Sequence, residues 1–380
     1  MNNQEIKKLV YEIIGQEIKE HGVTVKPEIF TIIENIISVI LKKIKNPPKN
    51  IEDLKFDLAE IRNEIYISRT VDAYWDYSSD ELKILLKNHQ NMPRENVLWR
   101  TLKNIYHEYR HAIIDRKIKK TYIETKEDVY FAIEQLIDPT SNFYLTYHDD
   151  IYDEICANNY GARKAEHYLQ TTQRYRKEYE SLKIAIELEK IKYQIYYRNY
   201  NFALIFKEAN KFIKDNIKEL NLESEDIELQ IVRLLYTKNG HLKSLKELSH
   251  DPNWNHLTKE AQYVIISSPT YLKSVELKIL SKQELYFILD ALSYFLTQEI
   301  EKIKYNEYFR IELEKISRRL ILDNQVELNL YLDALLILNV KEESNKNQIN
   351  NLNKKIKEII EILKEKENPP KKRRLIPRQQ

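Results

Sequence analysis

The stretch Ile105-Tyr106-His107-Glu108-Tyr109-Arg110-His111-Ala112 decides how the rest of the chain is read. Leu98, Leu102, Ile105, Tyr109 and Ala112 recur at three- and four-residue steps, the period of an amphipathic helix. On that helix His107 and His111 stand one turn apart and about 40° apart in projection. Two imidazoles so placed can bind one metal ion at ~2.0–2.1 Å, and zinc suits such donors. Glu108 follows about 100° further round, beside the ion rather than bound to it, where a carboxylate can take a proton from water. The apolar stripe is expected to face a core, with Arg100, Asn104, His107 and His111 bordering a polar cleft. H-E-x-x-H is short, so a surface helix with two unrelated histidines is the competing reading.

A catalytic zinc ion needs a third protein ligand and an open position for water. Downstream, Tyr152-Asp153-Glu154-Ile155-Cys156-Ala157-Asn158-Asn159-Tyr160-Gly161-Ala162-Arg163 reads as a second helix. Glu154, Ala157, Asn158, Gly161 and Ala165 fall within about 60° of one direction on it. A carboxylate followed by small residues lets this helix approach another closely. Gly161 costs about 1 kcal/mol against alanine in a helix interior, so it calls for a packing reason. Asn158, one turn after Glu154, can accept a hydrogen bond from the far nitrogen of a ligating histidine. No fixed spacing dictates Glu154, and His148, Asp149, Asp150 and Asp153 remain alternative third ligands. A packing seam with an exposed glutamate is the plainer interpretation.

Together the two segments resemble the gluzincins, and most closely the ImmA/IrrE-type metallopeptidases, which share H-E-x-x-H followed by E-x-x-A-N. The matching residues are His107-Glu108-Tyr109-Arg110-His111 and Glu154-Ile155-Cys156-Ala157-Asn158. The resemblance implies that His107, His111 and Glu154 bind Zn2+, that Glu108 activates water and that Asn158 supports a ligand from behind. It covers about residues 51–180 and implies a zincin-like α+β region whose edge strand pairs with an extended substrate. Arg110 departs from the usual uncharged motif interior, the interval between the motifs is long, and no helix-turn-helix segment of the regulatory forms is present. Hydrolysis of a peptide bond also needs a group that stabilises the oxyanion. Tyr147, His148 and His167 are the candidates, each equally readable as a packed aromatic or a surface histidine.

Outward from this region the chain reads as mainly α. Only 4 glycines occur in 380 residues, which argues for helices joined by polar turns rather than many hairpins. Residues 1–50 suggest a helical hairpin, with amphipathic segments at 3–20 and 28–45. Within 51–180, Ile65-Tyr66-Ile67, Ala73-Tyr74-Trp75 and Leu82 to Leu86 suggest a small antiparallel sheet before the site helix. Asp149 or Asp150 is expected to cap the second site helix, which runs past Gln170 almost to Tyr197. Residues 181–366 read as a large all-helical region, broken near Asn221, Asn239-Gly240, Asp251-Pro252, Ser268-Pro269 and Asp323. Residues 367–380 read as a disordered basic tail, and Trp75, Trp99 and Trp254 as core.

The net charge of +2 does not by itself imply a nucleic-acid partner. Arg163-Lys164 and Arg174-Tyr175-Arg176-Lys177 sit among Glu166, Glu178 and Glu180, so they read as a solvated helix face. The tail from Lys341 is lopsided, at about +6, and solubilises the chain or meets an anionic partner such as nucleic acid. A single cysteine, Cys156, excludes an internal disulfide and a multi-cysteine metal site. The start lacks the basic character of a signal peptide, and the apolar run Ile29–Leu41 is too short to span a bilayer, so a cytoplasmic protein with no membrane partner is expected. The expected partner is a protein or peptide substrate, with the C-terminal helical region available to a regulator. A non-catalytic helical interaction protein with a vestigial or structural metal site is the alternative, as is a basic-tailed nucleic-acid accessory factor.

Overall fold

The computed structural model describes strands at 56–57, 73–76 and 81–84, most helical positions from 95 to 111, and residues 122–368. The expected hairpin in residues 1–50, the run Ile65–Ile67 and the tail beyond 368 lie outside the described residues. Described residues are mainly helical. Two compact units interleave along the sequence, each drawing on three chain segments. Residue 181, where a region was expected to begin, falls inside a continuous helix, Arg176–Arg198.

The first unit comprises the described residues before 121 together with Asp149–Tyr197 and Phe309–Ile337. Its strands β1 (Phe56–Asp57), β2 (Ala73–Asp76) and β3 (Glu81–Ile84) pair in the order β1-β3-β2. β2 and β3 are antiparallel, as the short connection 77–80 requires, but β1 and β3 are parallel. The sheet is thus mixed rather than antiparallel.

Three helices carry the rest of this unit's site-bearing part: α1 (described positions in 95–111), α4 (Tyr152–Thr171) and α5 (Arg176–Arg198). The expected single helix from 149 to 197 is broken by a 3-10 turn at Gln173–Tyr175. Asp149 and Asp150 lie in another 3-10 turn rather than capping α4, whose N-cap is Ile151 without a side-chain bond. α1 and α4 cross closely at Gly161. A Cβ on Gly161 would stand 2.6 Å from the Lys103 carbonyl oxygen and 3.2 Å from His107 Cβ, so only glycine fits there. Ala157, Ala162 and Ala165 are fully buried along α4.

The α5 helix fastens both partners. Glu189 accepts from Trp99 Nε1 at 2.5 Å and from Lys103 Nζ. Tyr193 donates to Glu189 at 2.9 Å and accepts from Lys103 at 3.1 Å. On the α4 side, Gln194 donates to Asn159 at 3.0 Å and Lys190 pairs with Glu166. Burial opposes both charges of the Lys103–Glu189 pair, but their mutual attraction wins, raising the lysine pKa and lowering the glutamate pKa.

The second unit holds the described residues 122–148, 198–308 and 338–368. Here local signals match the element ends. Helix α2 (Lys126–Glu134) opens with a Thr125–Asp128 capping box, and α3 spans Asn142–Tyr147. Helix α6 (Phe202–Asn216) buries Phe202, Ile205, Phe206, Ala209 and Ile213 along one stripe against α2, followed by α7 (Ile227–Leu235). Four short helices come next: α8 (Leu245–Ser249), α9 (Pro252–His256), α10 (Lys259–Ile266) and α11 (Pro269–Ser274). Asp251-Pro252 and Ser268-Pro269 each supply an N-cap and an N1 proline. Gly240 takes φ +78° at the turn expected there. Two long helices, α12 (Lys282–Ser317) and α13 (Gln325–Glu367), contribute to both units. The second unit also buries an amide ladder, in which Asn345 donates to Asn199 at 2.5 Å and Asn199 donates to Asn306 at 2.8 Å. Trp99 and Trp254 are buried as expected. No described helix is long and apolar enough to cross a membrane.

Candidate metal centre

Helical spacing places His107 and His111 on one ridge of α1, and the Gly161 crossing brings the first turn of α4 against it. The result is a cluster of His107, His111 and Glu154 that could hold a metal ion, one donor atom of each lying within 4.8 Å of the others. The two Nε2 atoms stand 2.9 Å apart. Glu154 Oε2 is 3.3 Å from His107 Nε2, and Glu154 Oε1 is 3.4 Å from His111 Nε2. Three ligands of one tetrahedral zinc ion, each ~2.0–2.2 Å from it, stand about 3.3–3.6 Å from one another. The two carboxylate–imidazole separations match that edge and the imidazole–imidazole one is shorter. Two neutral nitrogens and a carboxylate also suit a divalent cation chemically, so the residues fit the ion that the motif implies.

Glu108 turns its carboxylate toward the same group, with Oε1 3.8 Å from His107 Nε2. The face is enclosed rather than open. His111 is 4% exposed and both Glu108 and Glu154 are 7% exposed, where a cleft bordered by this face was expected. The close crossing at Gly161 accounts for this, since it covers the histidine ridge with a second helix. Trp99 and Tyr106 are buried as well, so α1 is packed on more than its apolar stripe.

The partner behind the ligands differs from expectation. Asp153 Oδ2 lies 3.0 Å from His111 Nδ1, whereas Asn158, partly exposed, makes no hydrogen bond to either histidine among the described residues. Asp153 and Glu154 are neighbours about 100° apart on α4, and both reach inward because His111 sits between their directions. With an ion bound at Nε2, this acceptor would hold the ring's remaining proton on Nδ1. Burial opposes protonation of His111, but the adjacent Asp153 and Glu154 carboxylates outweigh it and lift its pKa well above the ordinary imidazole range.

The remaining candidates fall elsewhere. His167 is exposed and lies thirteen residues, about 20 Å, along α4 from Glu154, so it cannot serve the oxyanion there. Tyr147 and His148 belong to the second unit, where Tyr147 is exposed and the His148 ring stands edge-on to Tyr144. Asp149 faces Lys192 at 3.8 Å. Tyr175, the aromatic between basic residues, is 2% exposed and offers no stacking face, which favours the solvated-helix reading of that segment. Sequence reasoning weighed Asp153 only as a rival ligand. The signal that could have found its role is its position beside Glu154, one step from a residue already expected to face the metal. No protein-family model, curated protein or solved structure matches the chain.

Proposed function

We propose that the chain is a zinc-dependent metallopeptidase of the gluzincin type, with the first unit as a zincin-like α+β catalytic region. The observation that carries this reading is the convergence of His107, His111 and Glu154, with Glu108 turned toward the same point. A zinc ion held there supplies Lewis acidity toward water and a peptide carbonyl. Glu108 takes the proton of the attacking water on its carboxylate and delivers it to the nitrogen of the departing amine. His107 and His111 contribute neutral donors, and Glu154 contributes one negative charge. The helical second unit is the proposed surface for selecting a protein substrate or meeting a regulator.

Enclosure of the ligands favours a second reading, a structural ion in a non-catalytic interaction protein, since structural zinc sites are closed and catalytic ones keep an open position. One experiment separates the two. Wild type and Glu108→Gln are expected to hold about one zinc ion each, while casein or peptide-library cleavage is lost in the variant alone. Equal zinc content with no cleavage by wild type favours the structural ion. A wild-type chain that takes up no zinc overturns both.

A further inference from the structure

His111 is the most enclosed of the three ligands, and its two ring nitrogens face different carboxylates. Nε2 looks into the cluster, 3.4 Å from Glu154, while Nδ1 lies 3.0 Å from Asp153. Because Asp153 and Glu154 are consecutive in the first turn of α4, one short piece of backbone holds both sides of the same ring. The Asp153 side chain is itself only 12% exposed, so water screens the contact weakly.

We propose that Asp153 is a positioning residue that fixes the Nδ1–H form of His111, aims Nε2 at the ion and strengthens it as a donor. This rests on reading His107, His111 and Glu154 as the metal ligands. A carboxylate behind the ring differs from the amide that Asn158 would have offered. It makes the imidazole a better donor, and its charge joins that of Glu154 to balance the two positive charges of a divalent ion in a buried site. Asn158 has no hydrogen bond to the rings, so the role falls to Asp153, on the residue just before the ligand instead of one turn after it.

The test uses full-length wild type, Asp153→Ala and Asp153→Asn, with zinc affinity measured by chelator competition and the histidine rings followed by nitrogen-15 NMR in the zinc-loaded proteins. Zinc binding is expected to weaken by about 10–100-fold in Asp153→Ala and by less in Asp153→Asn, which keeps an acceptor but loses the charge. The His111 Nδ1–H resonance should be strongly downfield in wild type, shifted upfield in Asp153→Asn and lost to exchange in Asp153→Ala. A role limited to packing would change the melting temperature without moving affinity or the resonance. Asp153→Asn has nearly the same shape as wild type and carries the test if Asp153→Ala fails to fold. Equal affinities, or an unmoved resonance, overturn the proposal for Asp153 while leaving the metal site standing. Failure of wild type to bind zinc overturns the site beneath it.

Discussion

Each unit buries a layer of polar side chains, and the two layers solve the problem of burial in opposite ways. In the second unit Asn345, Asn199 and Asn306 form a ladder in which amide N–H groups meet amide oxygens. Neutral groups thus partner one another without charge, and only Asn306 Nδ2 among them finds no acceptor among the described residues. In the first unit the inward groups around His107 and His111 are carboxylates and imidazole nitrogens, atoms that accept protons or cations. Groups that satisfy one another specify how helices pair. Groups that all offer lone pairs to one point specify a ligand. The first unit also contains a control on itself: at Lys103–Glu189 the same ridge of α1 carries a buried cation with its anion already in place.

The comparison can be broken most sharply at that control. Glu189→Gln leaves the buried Lys103 charge without its partner and is expected to cost about 3–5 kcal/mol, read by denaturant unfolding. Replacing both residues with apolar ones of similar size should recover most of that loss. The pair also sets a pH window. The Glu189 pKa is lowered on folding, so its contribution is present above the ordinary carboxylate range and is lost as pH falls through its folded value. The Lys103 pKa is raised, so its contribution holds below the ordinary lysine value and is lost only as pH rises beyond it. Unfolding experiments on wild type and the doubly apolar variant should therefore nearly agree at neutral pH and separate at acid pH, where only wild type loses stability through this pair.

Removing a cluster ligand should act on metal rather than on folding. Glu154→Ala is expected to weaken zinc binding at least about 100-fold, more than loss of an outer partner does, while the metal-free protein keeps its helical circular dichroism. Retained affinity would show that a different carboxylate is the third ligand. Gly161→Ala tests the crossing that assembles the cluster. The added methyl must push α4 from the α1 backbone, with an expected cost of about 1–3 kcal/mol and a measurable fall in zinc affinity. Asn199→Ala is the smallest and the complementary change. It leaves two buried amides short of a partner and costs about 1–3 kcal/mol by thermal unfolding, with zinc affinity unchanged. A change in zinc binding there would show that the two layers are not independent.

Local chemistry in the sequence announced much of this fold. Asp251-Pro252, Ser268-Pro269 and Asn239-Gly240 each mark a boundary because capping hydroxyls or carboxylates, proline at N1 and positive φ act over a few residues. Helical period alone put His107 and His111 together, and the small residues after Glu154 pointed to a close helix crossing. What stayed hidden depends on long-range packing. Whether Asp153 or Asn158 reaches a ring is decided by how α4 rotates against α1, which periodicity in α4 cannot report. The asparagine ladder joins residues 107 and 146 positions apart, and no local signal distinguishes those asparagines from exposed ones. Interleaving of the units was likewise invisible, since a linear reading of helices says nothing about which of them return to an earlier neighbour.

That interleaving has a consequence in time. The helices bearing His107, His111 and Glu154 are complete once Tyr197 has been made, yet the first unit takes its last segment from Phe309–Ile337. Between Tyr197 and Ile337 the ribosome must add 140 residues, which at roughly 5–20 residues per second takes about 7–28 seconds. Through that interval the nascent first unit lacks the segment that completes it, so its metal-binding helices are synthesised well before the unit is whole.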